Sequence, residues 1–226
     1  MILRIGLDLE PGLHIARAVP DLDLLDIAYG AVHGGAQIIM LPVSAFVTSA
    51  SYTPDLFRRP GLPVLAVKTE IEDLDRISGL GSAPDRIFIT GERGRPVEDL
   101  ARVAAFMART GGTDQEIAVL IEPEAAPLKE ISRLRAHWAV FSTERVFGLS
   151  TLAETQEEIA RLTSATLAAS HVRLRTALFG PTGRHLPQAL SRIPNVEEIY
   201  PTPDLWAMAL RSGWGQAVSE YRSLLG

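Results

Sequence analysis

The run "PVLAVKTE", residues 63–70, is an apolar stretch that ends on Lys68. The chain has 22 Lys plus Arg, yet only Lys68 and Lys129 are lysines. A lysine at the end of a buried strand has two available roles. Inside an apolar wall its pKa falls, so the amine can form a Schiff base or act as a base. Paired across a core with a carboxylate such as Asp8 or Glu122, it is a structural ion pair instead. Lys129, in "PLKEI", reads as a solvated helix lysine. Asp8 and Glu122 close apolar runs of their own, a position that suits an acid–base or metal-binding pair. In "GPTGRH", Gly180, Thr182, Gly183 and Arg184 precede a helical stretch. Two glycines, a hydroxyl and a guanidinium there can cradle a phosphate, or can simply turn the chain into a helix cap. Glu10, Glu92, Arg93, Glu124, Thr143, Arg145 and Arg175 also sit at run ends, where caps and ion pairs explain them equally well.

These groups meet only if the elements carrying them converge. Short β-branched runs cover 3–9, 38–43, 63–69, 86–90, 116–122, 138–143, 174–179 and 196–200, with stretches of helical period between them. The helical stretches are 24–33, 71–78, 97–109, 127–134, 152–170 and 186–193, with one long closing helix over 203–225. The crossover 44–61 is the least helical and reads as a loop with a short helix around 55–59. The runs are continuously apolar rather than alternating, as in strands covered on both faces. Eight strand–helix units in 226 residues is the count of a (β/α)8 TIM barrel, expected to form a single domain over 1–226. An open doubly wound sheet would want a glycine-rich turn after the first strand, and "GLDLEPG" is not that motif. In a barrel, Lys68 shares a strand face with Ala66, and if that face points inward Lys68 stands at the C-terminal mouth.

Composition narrows the function classes. The net charge is −5 and no basic block stands out, so no nucleic-acid partner is expected. No apolar run approaches the roughly 20 residues of a membrane helix, and the N-terminus reads as a strand rather than a signal peptide. With no cysteine there is no disulfide or thiolate zinc site, which fits a cytoplasmic location. His14, His33, His137, His171 and His185 show no metal-ligand spacing, so neither metal nor cofactor is expected. Trp206, Trp214 and Tyr221 approximate one helix face, read as core packing or an oligomer contact.

Two stretches resemble the pyridoxine 5'-phosphate synthase family. The first, "IGLDLEPGLHIARAVPDLDLLDIAYGAVHGGAQ", keeps Asp8, Ala16, Arg17, Asp23, Gly35 and Ala36 in register. The second, 165–225, matches the family's last two units, including the Ile-Pro before the final strand and the Gly-x-x-x-Ala-Val of the last helix. "IAVLIEPEAAPLKEISRLRAHWAVFST" is similar to its fifth and sixth units. The resemblance implies a TIM barrel. It also implies a ring closure between two phosphorylated substrates, but most positions for that chemistry are replaced. Of the first strand's Asn and Asp-His only Asp8 remains, and the second strand's His-x-Arg falls at Pro42-Val43-Ser44. The third strand's Glu falls at Ala66 or Lys68. Glu92 and Thr143 survive from the fourth and sixth strands, and the Gly-His of the eighth strand's phosphate clamp becomes Thr202-Pro203. The expectation is therefore a related barrel with altered or lost synthase activity, acting on a small phosphorylated or carbonyl metabolite through Lys68. The alternative is a non-catalytic binding or assembly subunit. A homo-oligomer, or a hetero-oligomer with a related barrel, is the expected assembly.

Overall fold

The computed structural model describes residues 3–16, 18–19, 21–47, 52–58, 64–80, 82–110 and 114–226. Arg17, Arg59, Pro63 and the glycine pair 111–112 lie outside the described residues. Eight parallel strands close into a barrel in sequence order, each hydrogen-bonded to the next and β8 to β1. The strands are β1 Arg4–Asp8, β2 Ile38–Pro42, β3 Val64–Glu70, β4 Arg86–Thr90, β5 Glu116–Leu120, β6 Trp138–Ser142, β7 Arg175–Phe179 and β8 Val196–Tyr200.

The α-helices are α1 Glu10–Ala16, α2 Leu24–His33, α3 Ser44–Val47, α4 Leu100–Thr110, α5 Ala125–Arg133, α6 Glu144–Gly148, α7 Leu152–His171, α8 Pro187–Ser191, α9 Thr202–Ser212 and α10 Trp214–Leu224. Short 3₁₀ segments cover Pro54–Arg58, Ile71–Gly79 and Glu92–Gly94. The single closing helix expected from the sequence is two helices. Gly213 adopts φ 78°, a left-handed conformation that a glycine takes without steric cost, and the chain breaks there. Trp206 and Trp214 consequently sit on different helices and meet edge to face, with centroids 4.6 Å apart. No helix among the described residues is long and apolar enough to cross a membrane.

Strand alternation sorts the apolar side chains into two cores. Outward residues such as Ile39, Leu41, Leu65, Val67, Ile87 and Ile89 pack under the helices. Inward residues such as Ile38, Met40, Ala66, Phe88, Leu120 and Val140 fill the barrel. Burial on both faces is why the strands read as unbroken apolar runs. Gly6 of β1 faces the ring of Tyr200, so a Cβ on Gly6 would overlap that ring. Phe88, Phe179 and Tyr200 form the aromatic middle of the barrel, with centroids 5.4 to 6.4 Å apart.

The N-terminal end of the barrel is charged. Arg86, 1 % exposed, binds Glu198 and Glu116 and donates to the Tyr200 hydroxyl at 2.7 Å. Arg4 also pairs with Glu198, and Arg175 reaches Glu116 at 3.1 Å. Trp138 lies between Arg86 and Arg175, whose guanidinium carbons stand 4.3 and 3.9 Å from its ring, and it donates to Glu116 at 3.0 Å. A register shift between Thr176 and Ala177 brings Glu198 opposite Ala177 and into this layer.

Gly6→Ala is expected to lower stability by about 1–3 kcal/mol through overpacking against Tyr200. A urea unfolding curve with an unchanged midpoint would contradict that packing.

Candidate functional site

β3 runs one residue further than the sequence suggests, to Glu70, and its inward side chains are Val64, Ala66, Lys68 and Glu70. Lys68 therefore points into the barrel near the C-terminal rim, opposite Phe88 of β4 and Pro42 of β2. Its ammonium pairs with both Asp8, the last residue of β1, and Glu10, the first of α1. The Lys68 side chain is 11 % exposed and that of Asp8 3 %. The Phe179 ring lies 5.7 Å beneath the amine.

Asp8 is fixed on every side. Its Oδ1 accepts the Glu10 N–H at 2.9 Å, which holds the turn from β1 into α1. Its own N–H donates to Thr202 Oγ1 at 3.1 Å, and its carbonyl accepts from Trp206 Nε1 at 3.2 Å.

The apolar wall does not free the amine. Burial draws the Lys68 pKa down, but the charges of Asp8 and Glu10 and their hydrogen bonds outweigh it, and the net direction is up. Of the two roles open to Lys68 in the sequence, the structure shows the ion pair with Asp8, and the pKa moves up rather than down. Burial also raises Asp8, more than Lys68 and the Glu10 N–H lower it. Two carboxylates share one ammonium, and the deeper of them bears the loss of water.

Above this trio opens a cavity of about 570 Å³, lined by Glu10, His14, Pro42, Lys68, Glu70, Thr90 and Arg93 among others. A neighbouring hollow of about 510 Å³ lies across Arg93, between Glu72, Glu92, Arg95, Glu98 and Asp99. It holds none of the inward strand residues, so the first cavity is the candidate site. Glu70 and Thr90 are register partners on β3 and β4. Neither stands out in the sequence, and the only signal was period-two alternation continued past Lys68. Burial pushes the Glu70 carboxyl up, against the Arg93 backbone N–H donated to it, and Glu72, Glu10 and Asp73 add to the rise. Thr90 is 1 % exposed, and its hydroxyl has no hydrogen-bond partner among the described residues.

The other sequence candidates lie elsewhere. Glu122 is half exposed, reaches Arg161 of α7 at 3.8 Å, and does not line the cavity. Arg175 starts β7 and belongs to the N-terminal charged layer. In the turn after β7 the donors a phosphate would use are occupied by the chain's own Asp204. That carboxylate accepts the Thr182 N–H at 2.7 Å, the Thr182 hydroxyl at 3.0 Å and the Gly183 N–H at 2.9 Å. Gly180, at φ 125°, donates its N–H to the Tyr200 carbonyl, and the exposed Arg184 faces Glu220 at 3.6 Å. Thr202 is committed to Asp8. Among the described residues no group of three or more His, Asp or Glu is placed to hold a metal ion.

No protein-family model matches the chain, and no curated protein matches it in sequence. Solved structures match across nearly its whole length. A 4-hydroxy-2-oxoglutarate/2-dehydro-3-deoxyphosphogluconate aldolase superposes with a TM-score of 0.59 at 15% identity, covering 99% of this chain and 94% of that one. Orotidine 5'-monophosphate decarboxylase from Methanocaldococcus jannaschii gives 0.59 at 10% identity, with 98% and 97% covered. Tryptophan synthase from M. tuberculosis gives 0.60 at 9%, with 99% and 94% covered. At these identities the likeness is one of fold alone, the TIM barrel.

Lys68→Met leaves Asp8 buried without its counter-charge and is expected to cost about 3–5 kcal/mol in urea unfolding. The Lys68 pKa stands above its ordinary 10.5, so its pairing stabilises fully below pH 10.5 and is lost as pH rises through the folded-state value. Tyr200 and Tyr221, both raised chiefly by burial, also weaken the fold in alkali, but equally in both proteins. The stability gap between wild type and Lys68→Met should therefore narrow above pH 10.5. A gap constant with pH would mean that the ammonium is not held by these carboxylates.

Proposed function

We propose that this barrel is a diverged relative of the pyridoxine 5'-phosphate synthase type, with altered chemistry, that enolises a small carbonyl metabolite at its C-terminal mouth. The observation that carries this reading is the inward Lys68, clamped by Asp8 and Glu10 beneath a cavity of small-molecule size. An amine kept protonated by two carboxylates is a poor nucleophile but a good hydrogen-bond donor. In the proposed step the Glu10 carboxylate takes the proton α to the carbonyl. The C–H electron pair moves into the carbonyl π system, and the developing enolate oxygen is stabilised by Lys68. Asp8 orients the ammonium and holds the α1 turn. A phosphate on the metabolite is not part of the reading, because the donors of 182–183 are taken by Asp204.

A second reading keeps the barrel as a non-catalytic binding or assembly subunit. It is favoured by the replacement of two of the resembling family's His positions by Leu9 and Pro42 and of its Arg position by Ser44.

Proton exchange separates the two readings. Small ketones and 2-oxo acids incubated with the protein in D2O should lose α-protons, followed by NMR. Lys68→Met and Glu10→Gln should slow this by about 100-fold or more. No borohydride-reducible adduct should form on Lys68. Undiminished exchange in Lys68→Met would remove the lysine from the chemistry, and a trapped Lys68 adduct would replace the acid role by a Schiff base. No exchange with any carbonyl compound would favour the binding subunit.

A further inference from the structure

We propose that the mouth cavity takes a small ligand bearing an ammonium group, with the Glu70 carboxylate as its counter-ion and the Thr90 hydroxyl as its hydrogen-bond partner. This rests on the mouth being the ligand site, as above, but not on what Lys68 does there.

Glu70 and Thr90 lie side by side, the last inward residues of β3 and β4, and both line the cavity. Cations near Glu70 are committed elsewhere. Lys68, two residues deeper, is shared by Asp8 and Glu10. The Arg93 side chain is 82 % exposed and faces Glu92 at 3.6 Å, and Arg76 pairs with Asp73 at 3.1 Å. Among the described residues no Lys, Arg or His forms an ion pair with Glu70. Its place is set by β3 itself, where it is the last strand residue and the register partner of Thr90, so the carboxylate is positioned without being neutralised.

Thr90 supplies an independent observation. Buried hydroxyls ordinarily find a partner, and this one, under the wall of the cavity, has none among the described residues. A hydroxyl can accept from an ammonium N–H while its own proton stays available for a second ligand oxygen. The trio of Asp8, Glu10 and Lys68 already has one carboxylate more than ammonium. With Glu70 beside it, the rim has an acidic excess that draws in a cation and repels an anion. A phosphorylated ligand is disfavoured twice, since the turn that would hold its phosphate is filled by Asp204.

The test is an NMR titration of the full chain, following the Thr90 methyl signal with 2-aminoethanol, ethylene glycol, glycolate and inorganic phosphate. The amino alcohol should shift that signal saturably, and the other three should bind about tenfold more weakly or worse. Glu70→Gln should weaken 2-aminoethanol binding about tenfold, while Glu122→Gln, outside the cavity, should leave it within about threefold. Thr90→Val, followed by calorimetry, should bind several-fold more weakly, yet be no less stable in a thermal melt because the orphan hydroxyl is gone. Glycolate or phosphate binding as tightly as the amine, unchanged affinity in Glu70→Gln, or no probe moving the Thr90 signal would each overturn the proposal. If amine binding fails while α-proton exchange persists in the wild type and is lost in Lys68→Met, the ligand class is wrong and the enolisation reading stands. If amine binding holds but no exchange occurs, the reverse is true.

Discussion

Charge placed inside a closed barrel has to be met by opposite charge from another strand, because water cannot do it. Both ends of this barrel answer to that constraint. At the N-terminal end Arg86 is met by Glu198 from β8 and Glu116 from β5, with Trp138 between two guanidinium groups. At the C-terminal end Lys68 is met by Asp8 and Glu10 from β1 and the start of α1. Between them lies an apolar and aromatic middle, where Gly6 gives room to Tyr200. The first end buries its central pair, Arg86 and Glu198, inside a partly exposed ring of charge. The second opens into a cavity and retains a carboxylate, Glu70, that the chain does not neutralise.

The elements were readable because their signal is local. Runs of β-branched residues locate all eight strands to within two residues, since burial on both faces forces continuous apolarity. Period-two alternation also puts Lys68 on the face of Ala66, and the structure turns that face inward. Which charges pair was mostly not readable, because it depends on register between distant strands; for Lys68 the sequence offered Asp8 or Glu122 as a partner, and the structure gives Asp8. Nothing in "RIFIT" and "VEEIY" announces that Arg86 will find Glu198, and a register shift in β7–β8 is needed to bring that carboxylate inside. Glu122 illustrates the same limit: its strand ends two residues earlier, at Leu120, and it turns to Arg161. The choice between a lowered Lys68 pKa and a carboxylate-paired Lys68 was open in the sequence for this reason as well. Desolvation can be inferred from neighbours in sequence, but two carboxylates, one ending β1 and one opening α1, reverse its sign.

Fold and site carry different amounts of information here. An aldolase, a decarboxylase and a synthase superpose on this chain at 9–15% identity, so the barrel by itself selects none of their reactions. Discrimination has to come from side chains at the rim. There the chain combines a protonated lysine and an unneutralised carboxylate on β3 with an unbonded hydroxyl on the adjoining β4.

Asp204 travels with α9, so the turn 180–183 receives its anion when that helix docks, as part of folding. That sector of the rim is consequently preset, and its conformation owes nothing to occupancy. Whatever adjustment accompanies ligand entry falls to the opposite sector, the connections following β1 to β4, where Glu70 has, among the described residues, no carboxylate-binding cation fixed to it as Asp204 is fixed to the turn.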